Sequence, residues 1–422
     1  MTTRFITPSI GPLDAVVRVP GSKSVANRAL VCAMLANGDS IVSGLPDGDD
    51  TAVIISVLSE LGRCHQLNES AYVVSGNPVA SLPGIVDARL AGTSSRFLTA
   101  VAALSESTTV IDGAEPLRAR PMHDLHDALE SMGVNIAPLG EPGHLPVSVS
   151  RGDCVGGHVS IRGDVSSQFI SALMLIAPTL PQGLTVLVEG DLVSRSYVEM
   201  TAHVMRDFGV DVDISNHRIE VRAGGYVARD YTVEPDYSSA AFPIAALLMR
   251  GGRVRVCDLA TSHMQGDAEM ARIAEEMGAK VVVDGSDVVF ERDAESPLLP
   301  LIKNMEDCSD LVPAVATVCA IASGVSTITG VGFIRKKESD RLGDLANELS
   351  KSGAHVQVDD DGLSIQGVNT LTPASFGTHH DHRLAMALAL VSLAAGTAEI
   401  QDPQVVSKSW PRYFEDMASI LG

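Results

Sequence analysis

The sequence predicts an α/β protein of two domains, each built from three repeated units around buried helices. Two observations predict this fold. An apolar helix that opens on small polar residues recurs about every 70 residues, and an amphipathic helix that ends on glycine recurs between its copies. The length of 422 residues exceeds one ordinary domain, and 45% hydrophobic residues are ample for buried cores.

The apolar helix recurs six times with nearly constant spacing. Its copies read "SKSVANRALVCAMLANG", "GTSSRFLTAVAALSE", "SSQFISALMLIAPTL", "YSSAAFPIAALLMRGG", "SDLVPAVATVCAIASG" and "DHRLAMALALVSLAAG". Intervals of 69, 74, 72, 71 and 71 residues separate the equivalent positions Ser24, Thr93, Ser167, Ser239, Asp310 and Asp381. Because a helix that is apolar on every side must be buried, we expect these helices inside each domain.

The amphipathic helix passes through glycine into an alternating strand. Five copies have this glycine at Gly62, Gly133, Gly209, Gly278 and Gly353. Glycine after the last helical turn is typical of a left-handed cap, and alternation of period two is typical of a half-buried strand. We therefore expect these helices to face outward.

The domain boundary is predicted near the middle of the chain, where Pro235 interrupts a strand pattern in "RDYTVEPDYSSAA". Residues 21–233 would form one three-repeat domain, and residues 1–20 with 234–422 would form the other. The short N-terminal strand before Gly21 then joins the second half. We expect a hinge of two strands, with a substrate cleft between the domains.

Charge and cysteine content exclude several classes of protein. Acidic residues outnumber basic ones 52 to 31, which argues against nucleic acid or an anionic membrane as a partner. The six cysteines form no CxxC pair and no zinc-type spacing. The sequence shows no signal-peptide pattern and no long uncharged apolar run, so we expect a cytoplasmic protein and, with nothing that demands a partner chain, a monomer.

Basic residues collect at the openings of the apolar helices. Lys23 and Arg28 flank the first opening, Arg96 lies just inside the second, and Arg383 lies at the sixth. The N-terminus of a helix carries free N–H groups and partial positive charge, so cations there favour an anion site over solvated surface charge. Further basic groups are Arg118, Arg120, Arg335, Lys336, Lys337, Arg341 and Lys408.

Carboxylates and hydroxyls lie beside these cations. Asp310 stands at the opening of the fifth helix, where it could cap the helix or act as a base, and Glu338 follows Lys337, where it could form a salt bridge or relay a proton. The hydroxyls and amide of Ser166, Ser167, Gln168, Ser194 and Tyr197 suit a phosphate and a polyhydroxy ring, with simple helix capping as the alternative.

Other site patterns are not met. The sequence lacks the phosphate loop of nucleotide kinases, and no G-x-G-x-x-G follows the first strand. His379 and His380 in "GTHHDHR" suggest a metal only weakly, because no partner set accompanies them.

Eight segments resemble the EPSP synthase family of enolpyruvyl transferases over essentially the whole chain. They are "PGSKSVANRAL", "LAGTSSRFLTA", "RARPMHDLHDAL", "VSSQFISAL", "LVSRSYVEMT", "KESDRL", "DHRLAMALAL" and "DPQVVSKSWPRYF". The resemblance implies an inside-out α/β barrel in each of two domains, built from three βαβαββ-type units with parallel buried helices.

It also implies the reaction. The family transfers the enolpyruvyl group of phosphoenolpyruvate to the 5-hydroxyl of shikimate 3-phosphate, by addition and elimination through a tetrahedral intermediate, without cofactor or metal. The implied context is aromatic amino acid biosynthesis by the shikimate pathway, with glyphosate as an inhibitor.

The resemblance assigns roles to individual residues. It implies catalytic roles for Lys23, Asp310 and Glu338. It implies shikimate 3-phosphate contacts for Ser24, Arg28, Ser166, Ser167, Gln168, Ser194, Tyr197 and Lys337. It implies phosphoenolpyruvate contacts for Lys23, Gly92, Arg120, Gln168, Arg341, Arg383 and Lys408.

Two aromatic residues are among the departures from the family pattern: Phe97 stands where a proline is common, and Phe333 stands where an asparagine is usual. The "LAGTSS" opening and the "VVSK" segment also differ from the usual family sequence. Two rival functions remain open. The sister family that uses UDP-N-acetylglucosamine has Lys-Asn where this chain has Lys23 and Ser24, and a reactive cysteine where "GAEPLRARP" has none. A non-catalytic repeat-type binding protein would turn over neither acceptor.

Overall fold

The computed structural model describes residues 2–8, 10–78, 82–215 and 217–421. The chain divides into two compact units. Unit 1 comprises Met1–Pro20 and Pro235–Gly422, and unit 2 comprises Gly21–Glu234.

The N-terminal segment of unit 1 carries two strands, β1 (Thr3–Ile6) and β2 (Leu13–Val17). Unit 2 follows. Its strands are β3 (Ala36–Ser43), β4 (Cys64–Asn68), β5 (Ala71–Gly76), β6 (Ile85–Asp87), β7 (Thr109–Asp112), β8 (Asn135–Pro138), β9 (Val147–Ser150), β10 (Gly157–Arg162), β11 (Leu184–Glu189), β12 (Val212–Ile214), β13 (Arg218–Val221), β14 (Tyr226–Val227) and β15 (Tyr231–Thr232). Its helices are α1 (Lys23–Leu35), α2 (Asp49–Glu60), α3 (Gly92–Ala102), α4 (Glu115–Arg118), α5 (His123–Ser131), α6 (Ser167–Ile176) and α7 (Arg195–Asp207).

The remainder of unit 1 repeats the same alternation. Its strands are β16 (Gly252–Val256), β17 (Lys280–Asp284), β18 (Asp287–Arg292), β19 (Ile302–Asn304), β20 (Val325–Thr329), β21 (His355–Val358), β22 (Leu363–Gln366), β23 (Ser375–Phe376) and β24 (Ala398–Gln401). Its helices are α8 (Tyr237–Arg250), α9 (Glu269–Glu276), α10 (Val312–Cys319), α11 (Gly343–Lys351), α12 (His382–Ala389), α13 (Ser392–Ala395), α14 (Tyr413–Asp416) and α15 (Ala418–Leu421).

The sheets of unit 2 share one strand pattern. In the order β6-β7-β9-β8, the first pair is parallel and the other two pairs are antiparallel. The sheet β10-β11-β13-β12 repeats this arrangement. In the sheet β14-β3-β5-β4, the parallel partners of β3 are β14 and β15, which come from the end of the unit. Each repeat is therefore strand, buried helix, strand, amphipathic helix and two strands.

Unit 1 is completed by the N-terminal strands. β2 pairs in parallel with β16 at the edge of the sheet β17-β18-β16-β2, and β19-β20-β22-β21 is built from consecutive elements. In the third sheet β1 is antiparallel to β24, which is parallel to β23. The predicted α/β fold of repeated βαβαββ-type units is confirmed.

The apolar helices lie in the interiors, as predicted. Every residue of α3, α10 and α12 is buried, and α6 and α8 bury all but Gln168 and Arg250. In unit 2, α1, α3 and α6 contact one another, and in unit 1 α10 contacts both α8 and α12. The outer helices bury one stripe, as α9 does with Met270, Ile273 and Ala274.

The glycines that end the amphipathic helices adopt the conformation that the sequence predicts. Gly62, Gly133, Gly209, Gly278 and Gly353 all have positive φ, between 65° and 106°. A residue with a Cβ is strained there, so glycine lets the chain reverse directly into the following strand.

Side-chain capping of the apolar helices is less general than the sequence suggested. Ser166, Asp236 and Asp381 accept backbone N–H bonds at the starts of α6, α8 and α12. The starts of α1, α3 and α10 have no such bond. Asp310 lies in a 3-10 segment before α10 rather than at its cap, and its oxygens accept hydrogen bonds from cations instead.

Within the described part of the chain, no helix combines the length and the apolar character that crossing a membrane requires. All six cysteines are free thiols, and Cys32, Cys154, Cys308 and Cys319 are buried.

The buried helices should carry much of the stability. Leu173 in α6 is fully buried, whereas Leu67 in β4 is half exposed. We expect Leu173→Ala to cost about 2–5 kcal/mol of unfolding free energy, because it removes buried methyl groups and leaves a cavity. Leu67→Ala, the same change at an exposed position of the same unit, should cost under about 1 kcal/mol. Urea unfolding followed by circular dichroism measures both, and equal losses would contradict an interior role for α6.

Candidate active site

Six predicted site residues converge in unit 1 around Asp381, which was not among the predicted site residues, and we call these seven residues the ion-pair cluster. They are Asp310, Lys337, Glu338, Arg341, Asp381, Arg383 and Lys408. They come from segments next to the buried helices: the 3-10 segment before α10, the loop after the 3-10 segment Gly332–Lys336, the start of α12, and the 3-10 segment Pro403–Lys408. The repeat brings these segments together, although they are far apart in sequence.

Asp310 accepts charged hydrogen bonds on both oxygens. Its Oδ1 lies 2.7 Å from Lys337 Nζ and 2.8 Å from Arg341 Nη1, and its Oδ2 lies 2.8 Å from Arg383 Nη2. Burial alone would raise the pKa of Asp310, but these three cations hold the pKa well below its usual range. The carboxylate is therefore ionised at neutral pH and available to accept a proton.

Arg341 is the centre of the cluster. It is 1% exposed and donates to three carboxylates: Asp310, Glu338 and Asp381. Burial acts to lower the pKa of Arg341, but the carboxylates outweigh it and raise the pKa above its usual value. Its Nε lies 2.7 Å from Asp381 Oδ2, and Asp381 is fully buried. Because a buried cation needs partners, Arg341 holds the three acidic side chains in place.

Glu338 and Lys337 are neighbours in sequence but have different partners. Glu338 accepts from Lys408 Nζ on one oxygen and from Arg341 Nη2 on the other, both at 2.8 Å. Lys337 also donates to Ser309 Oγ at 3.0 Å, and its ammonium lies 5.6 Å from the centre of the Phe333 ring. Burial lowers the pKa of Lys337 although Asp310 opposes this shift. The aromatic residue that departs from the family pattern therefore contacts a predicted substrate-binding cation.

The charge of the cluster favours an anionic ligand. Four cations face three carboxylates, so one positive charge is in excess. Arginine and lysine that already donate to carboxylates can exchange those partners for the oxygens of a phosphate or a carboxylate ligand. The cluster can thus bind an anion and place a carboxylate beside it.

Asp267, which the sequence analysis missed, lies close to this cluster. It is 4% exposed and accepts a hydrogen bond from Ser238 Oγ, and its Oδ1 has no hydrogen-bond partner among the described residues. Burial, and then the charge of Asp310, raise the pKa of Asp267 to about 7, and Arg383 partly opposes the shift. The segment "MQGDAEM" around Asp267 contains no basic residue, so the sequence did not indicate a site there. Only the fold places Asp267 near the cluster.

The remaining predicted residues lie in unit 2. Lys23 is the first residue of α1, and its Nζ lies 3.1 Å from Oδ2 of Asp50, which is buried at the start of α2. Lys23 is itself mostly buried, with 13% of its side chain exposed. The buried carboxylate of Asp50 fixes the direction of the ammonium group. This partner was not predictable from the sequence, because Asp50 is 27 positions further along the chain.

Arg28 is 1% exposed and forms hydrogen bonds to neutral groups. It donates to Thr201 Oγ1 at 2.7 Å, to the carbonyl of Ser24 at 2.7 Å and to the carbonyl of Tyr197 at 3.2 Å. Burial lowers the pKa of Arg28 to about 10, so it stays charged at neutral pH. The ring of Phe97, the other aromatic departure from the family pattern, lies 5.3 Å from the guanidinium carbon. The charge of Arg28 is thus held in a largely neutral environment.

Gly92 begins α3 between two guanidinium groups. Arg96 Nη1 donates to its carbonyl at 2.8 Å. A Cβ at this position would lie 2.5 Å from Arg120 Nη1 and 2.8 Å from Arg96 Nη1. Glycine therefore permits the close approach of Arg120 to the helix start, where the backbone also favours anions.

The polar residues of α6 and α7 lie at helix starts. Ser166 caps α6 by accepting from the backbone N–H of Gln168 at 3.3 Å, which leaves its hydroxyl proton free to be donated. Ser167 follows and is buried. Ser194 precedes α7 in a left-handed conformation, with φ of 53°, and is 4% exposed. Tyr197, in the first turn of α7, is half-buried. Such backbone geometry in a serine is characteristic of functional sites.

Among the described residues, no group of three or more His, Cys, Asp or Glu side chains is placed to hold one metal ion.

The raised pKa of Asp267 predicts that the stability of the protein depends on pH. Its pKa of about 7 in the folded protein lies above the ordinary value of an aspartate, so the native state holds a proton that the unfolded chain has already released. Stability should therefore fall as pH rises from about 4 through 7. We expect Asp267→Asn to raise the urea unfolding midpoint relative to wild type more at pH 8 than at pH 5. Asp14→Asn, the same change at an exposed position of the same unit, should show no such difference; equal shifts at both pH values for Asp267→Asn would contradict this account.

Comparison with known proteins agrees with these features. A family model described as EPSP synthase (3-phosphoshikimate 1-carboxyvinyltransferase) matches residues 8–417. A curated protein of that name from Nostoc sp. is 38% identical over 409 residues, which cover 96% of each chain. Another, from Methanosphaera stadtmanae, is 37% identical over 421 residues, which cover 97% of this chain and 98% of that one.

A solved structure shows the same fold. An EPSP synthase from Acinetobacter baumannii superposes with a TM-score of 0.80 at 24% sequence identity, covering 99% of this chain and 98% of that chain. Together with the family match across nearly the whole sequence, this agreement leads to one conclusion: the chain belongs to the EPSP synthase family.

Proposed function

We propose that the protein transfers the enolpyruvyl group of phosphoenolpyruvate to the 5-hydroxyl of shikimate 3-phosphate. The products are 5-O-(1-carboxyvinyl)-3-phosphoshikimate and phosphate, in the shikimate pathway of aromatic amino acid biosynthesis. The observation that carries this proposal is the ion-pair cluster, in which cations suited to a phosphate and a carboxylate hold two acidic side chains beside them.

The proposal assigns the residues of the two units to the two substrates. Residues 21–233 bind mainly shikimate 3-phosphate, through Ser24, Arg28, Ser166, Ser167, Gln168, Ser194 and Tyr197, with Lys337 from unit 1. Phosphoenolpyruvate is bound by Lys23, Gly92, Arg120 and Gln168 of unit 2 and by Arg341, Arg383 and Lys408 of unit 1. Its carboxylate and phosphate require several cations, and planar guanidinium groups match both in a bidentate manner.

Binding of phosphoenolpyruvate should activate Asp310. In the ligand-free protein Lys337, Arg341 and Arg383 donate to this carboxylate, which makes it a weak base. An anionic ligand that recruits Arg341 and Arg383 removes two of these donors and raises the proton affinity of Asp310. The base is then strongest when the substrate is present.

The reaction moves protons at two atoms, the 5-hydroxyl oxygen and C3 of phosphoenolpyruvate. In the addition step the 5-hydroxyl oxygen bonds to C2 of phosphoenolpyruvate, its proton passes to Asp310, and C3 gains a proton to become a methyl group. In the elimination step the methyl group loses a proton, the bond from C2 to the phosphate oxygen breaks, and phosphate leaves. We assign the exchange at C3 to Glu338, with Lys23 close to the transferring proton.

Glu338 contacts two cations of the cluster, Lys408 and Arg341, which the proposal assigns to phosphoenolpyruvate. Its negative charge therefore competes with the substrate for them. Removing the charge of Glu338 should therefore affect substrate binding, measured by KM for phosphoenolpyruvate, and the chemical step, measured by kcat, in different ways.

We expect Glu338→Gln to lower kcat by about 10²- to 10⁴-fold, because the amide cannot exchange a proton with C3. KM for phosphoenolpyruvate should stay equal or fall, because a competing negative charge is removed. Steady-state kinetics with both substrates measures this split, with Glu275→Gln on the exposed face of α9 as control. An unchanged kcat would remove Glu338 from the catalytic set.

The function itself is tested by phosphate release. Purified protein mixed with phosphoenolpyruvate and shikimate 3-phosphate, without added metal, should release phosphate, and UDP-N-acetylglucosamine should give none as the acceptor. Release with the nucleotide sugar alone would assign the sister activity, and a folded protein silent with both acceptors would contradict any enolpyruvyl transfer. The monomeric state and the cytoplasmic location remain predictions from the sequence.

A further inference from the structure

The turn that leads into α12 has an unusual backbone. His379 and His380 are consecutive residues with left-handed φ, at 50° and 58°. Residues other than glycine seldom adopt this conformation, and each such residue costs free energy that the surroundings must supply. The turn ends at Asp381, whose backbone N–H donates to the carbonyl of Thr378 at 2.8 Å. Contacts outside the turn must therefore hold it.

Those contacts come from α11. Glu348 is 3% exposed there, and its two oxygens accept from His379 Nε2 and from the backbone N–H of Gly377, both at 2.8 Å. His379 Nδ1 lies 3.5 Å from a carboxylate oxygen of Asp344, one turn earlier in the same helix. Lys351 Nζ also donates to Glu348. Burial acts to raise the pKa of Glu348, but the hydrogen bonds from Lys351, His379 and Gly377 outweigh it, so Glu348 is ionised.

The turn bears directly on the ion-pair cluster. Asp381 caps α12 by accepting the backbone N–H of Arg383 at 2.8 Å, and its other oxygen accepts Arg341 Nε at 2.7 Å. Asp381 thus orients the guanidinium group of Arg341 directly and holds the backbone of Arg383 at the start of α12. The proposed function assigns both arginines to phosphoenolpyruvate. Any displacement of the turn moves this carboxylate, and the two arginines with it.

We propose that His379 is a positioning residue for phosphoenolpyruvate: its imidazole ties the left-handed turn to Glu348 and so fixes Asp381. Asp381 in turn holds the guanidinium group of Arg341 and the backbone of Arg383 at the start of α12. This inference rests on the proposed function. It assigns to His379 no contact with the substrate. It distinguishes His379, which contacts Glu348, from His380, which has the same left-handed backbone; both residues are exposed.

The pair of histidines supplies a matched experiment. Asparagine tolerates left-handed φ, so His379→Asn and His380→Asn alter the side chain and spare the backbone. Asparagine is too short to reach Glu348 as the imidazole does. We expect His379→Asn to raise KM for phosphoenolpyruvate about three- to tenfold, the effect of losing one net hydrogen bond. KM for shikimate 3-phosphate, and both constants of His380→Asn, should stay within about twofold of wild type.

A double-mutant cycle separates positioning from loss of stability. Glu348→Gln keeps an acceptor for Gly377 and loses the charge that faces His379, so it should raise the same KM less than His379→Asn does. If both act through one contact, the double variant should be no worse than His379→Asn alone. If His379→Asn folds poorly, Glu348→Gln still tests the proposal, because it weakens the same contact and the same KM is measured.

The outcomes are distinct. A phosphoenolpyruvate KM within twofold of wild type in His379→Asn, or equal rises for both substrates, would overturn the role of His379 while leaving the proposed function intact. Additive effects in the double variant would overturn the contact with Glu348 as the cause. A wild-type protein that releases no phosphate would overturn the proposed function, and with it the positioning role.

Discussion

Burial of helices that are apolar on every side is the constraint on which the rest of the structure depends. Such a helix gains stability only where other side chains surround it, so each unit must place three of them in its interior and cover them with sheets and amphipathic helices. The polar openings of the same helices cannot be buried without partners. They therefore define the places where charged side chains and ligands can be accommodated. In this way the packing of the interior determines where the chemistry lies.

In the ion-pair cluster, carboxylates neutralise the buried cations that lie at these helix openings. Arg341 is almost fully buried, and a buried cation without partners would be costly. Three carboxylates offset that cost, and they also hold the positions that a substrate anion would use. Because Asp381 is fully buried whereas Asp310 and Glu338 are partly exposed, the first is suited to a permanent role and the other two to partner exchange.

The repeats and the helix starts were predictable from the sequence because both are local and periodic. The interval of about 71 residues, the glycines with positive φ and the basic residues near the openings needed no knowledge of contacts. Partners distant in sequence were not predictable. Asp50 beside Lys23, Asp267 near Asp310 and Glu348 beside His379 each lie in ordinary helical sequence, and only the fold brings them to their partners. The capping role offered for Asp310 was wrong for the same reason, since three cations bind its oxygens instead.

The net charge of −21 does not prevent the binding of an anion. At physiological ionic strength the charges of exposed residues are screened over about 8 Å, so most of the acidic surface contributes little at a buried site. Buried charges are screened much less, and the excess positive charge of the ion-pair cluster lies in such an environment, where Arg341, Arg383 and Lys408 are each at most 5% exposed. The local arrangement therefore determines the sign of the potential that a ligand meets, and the acidic exterior acts mainly on solubility and on encounters with other macromolecules.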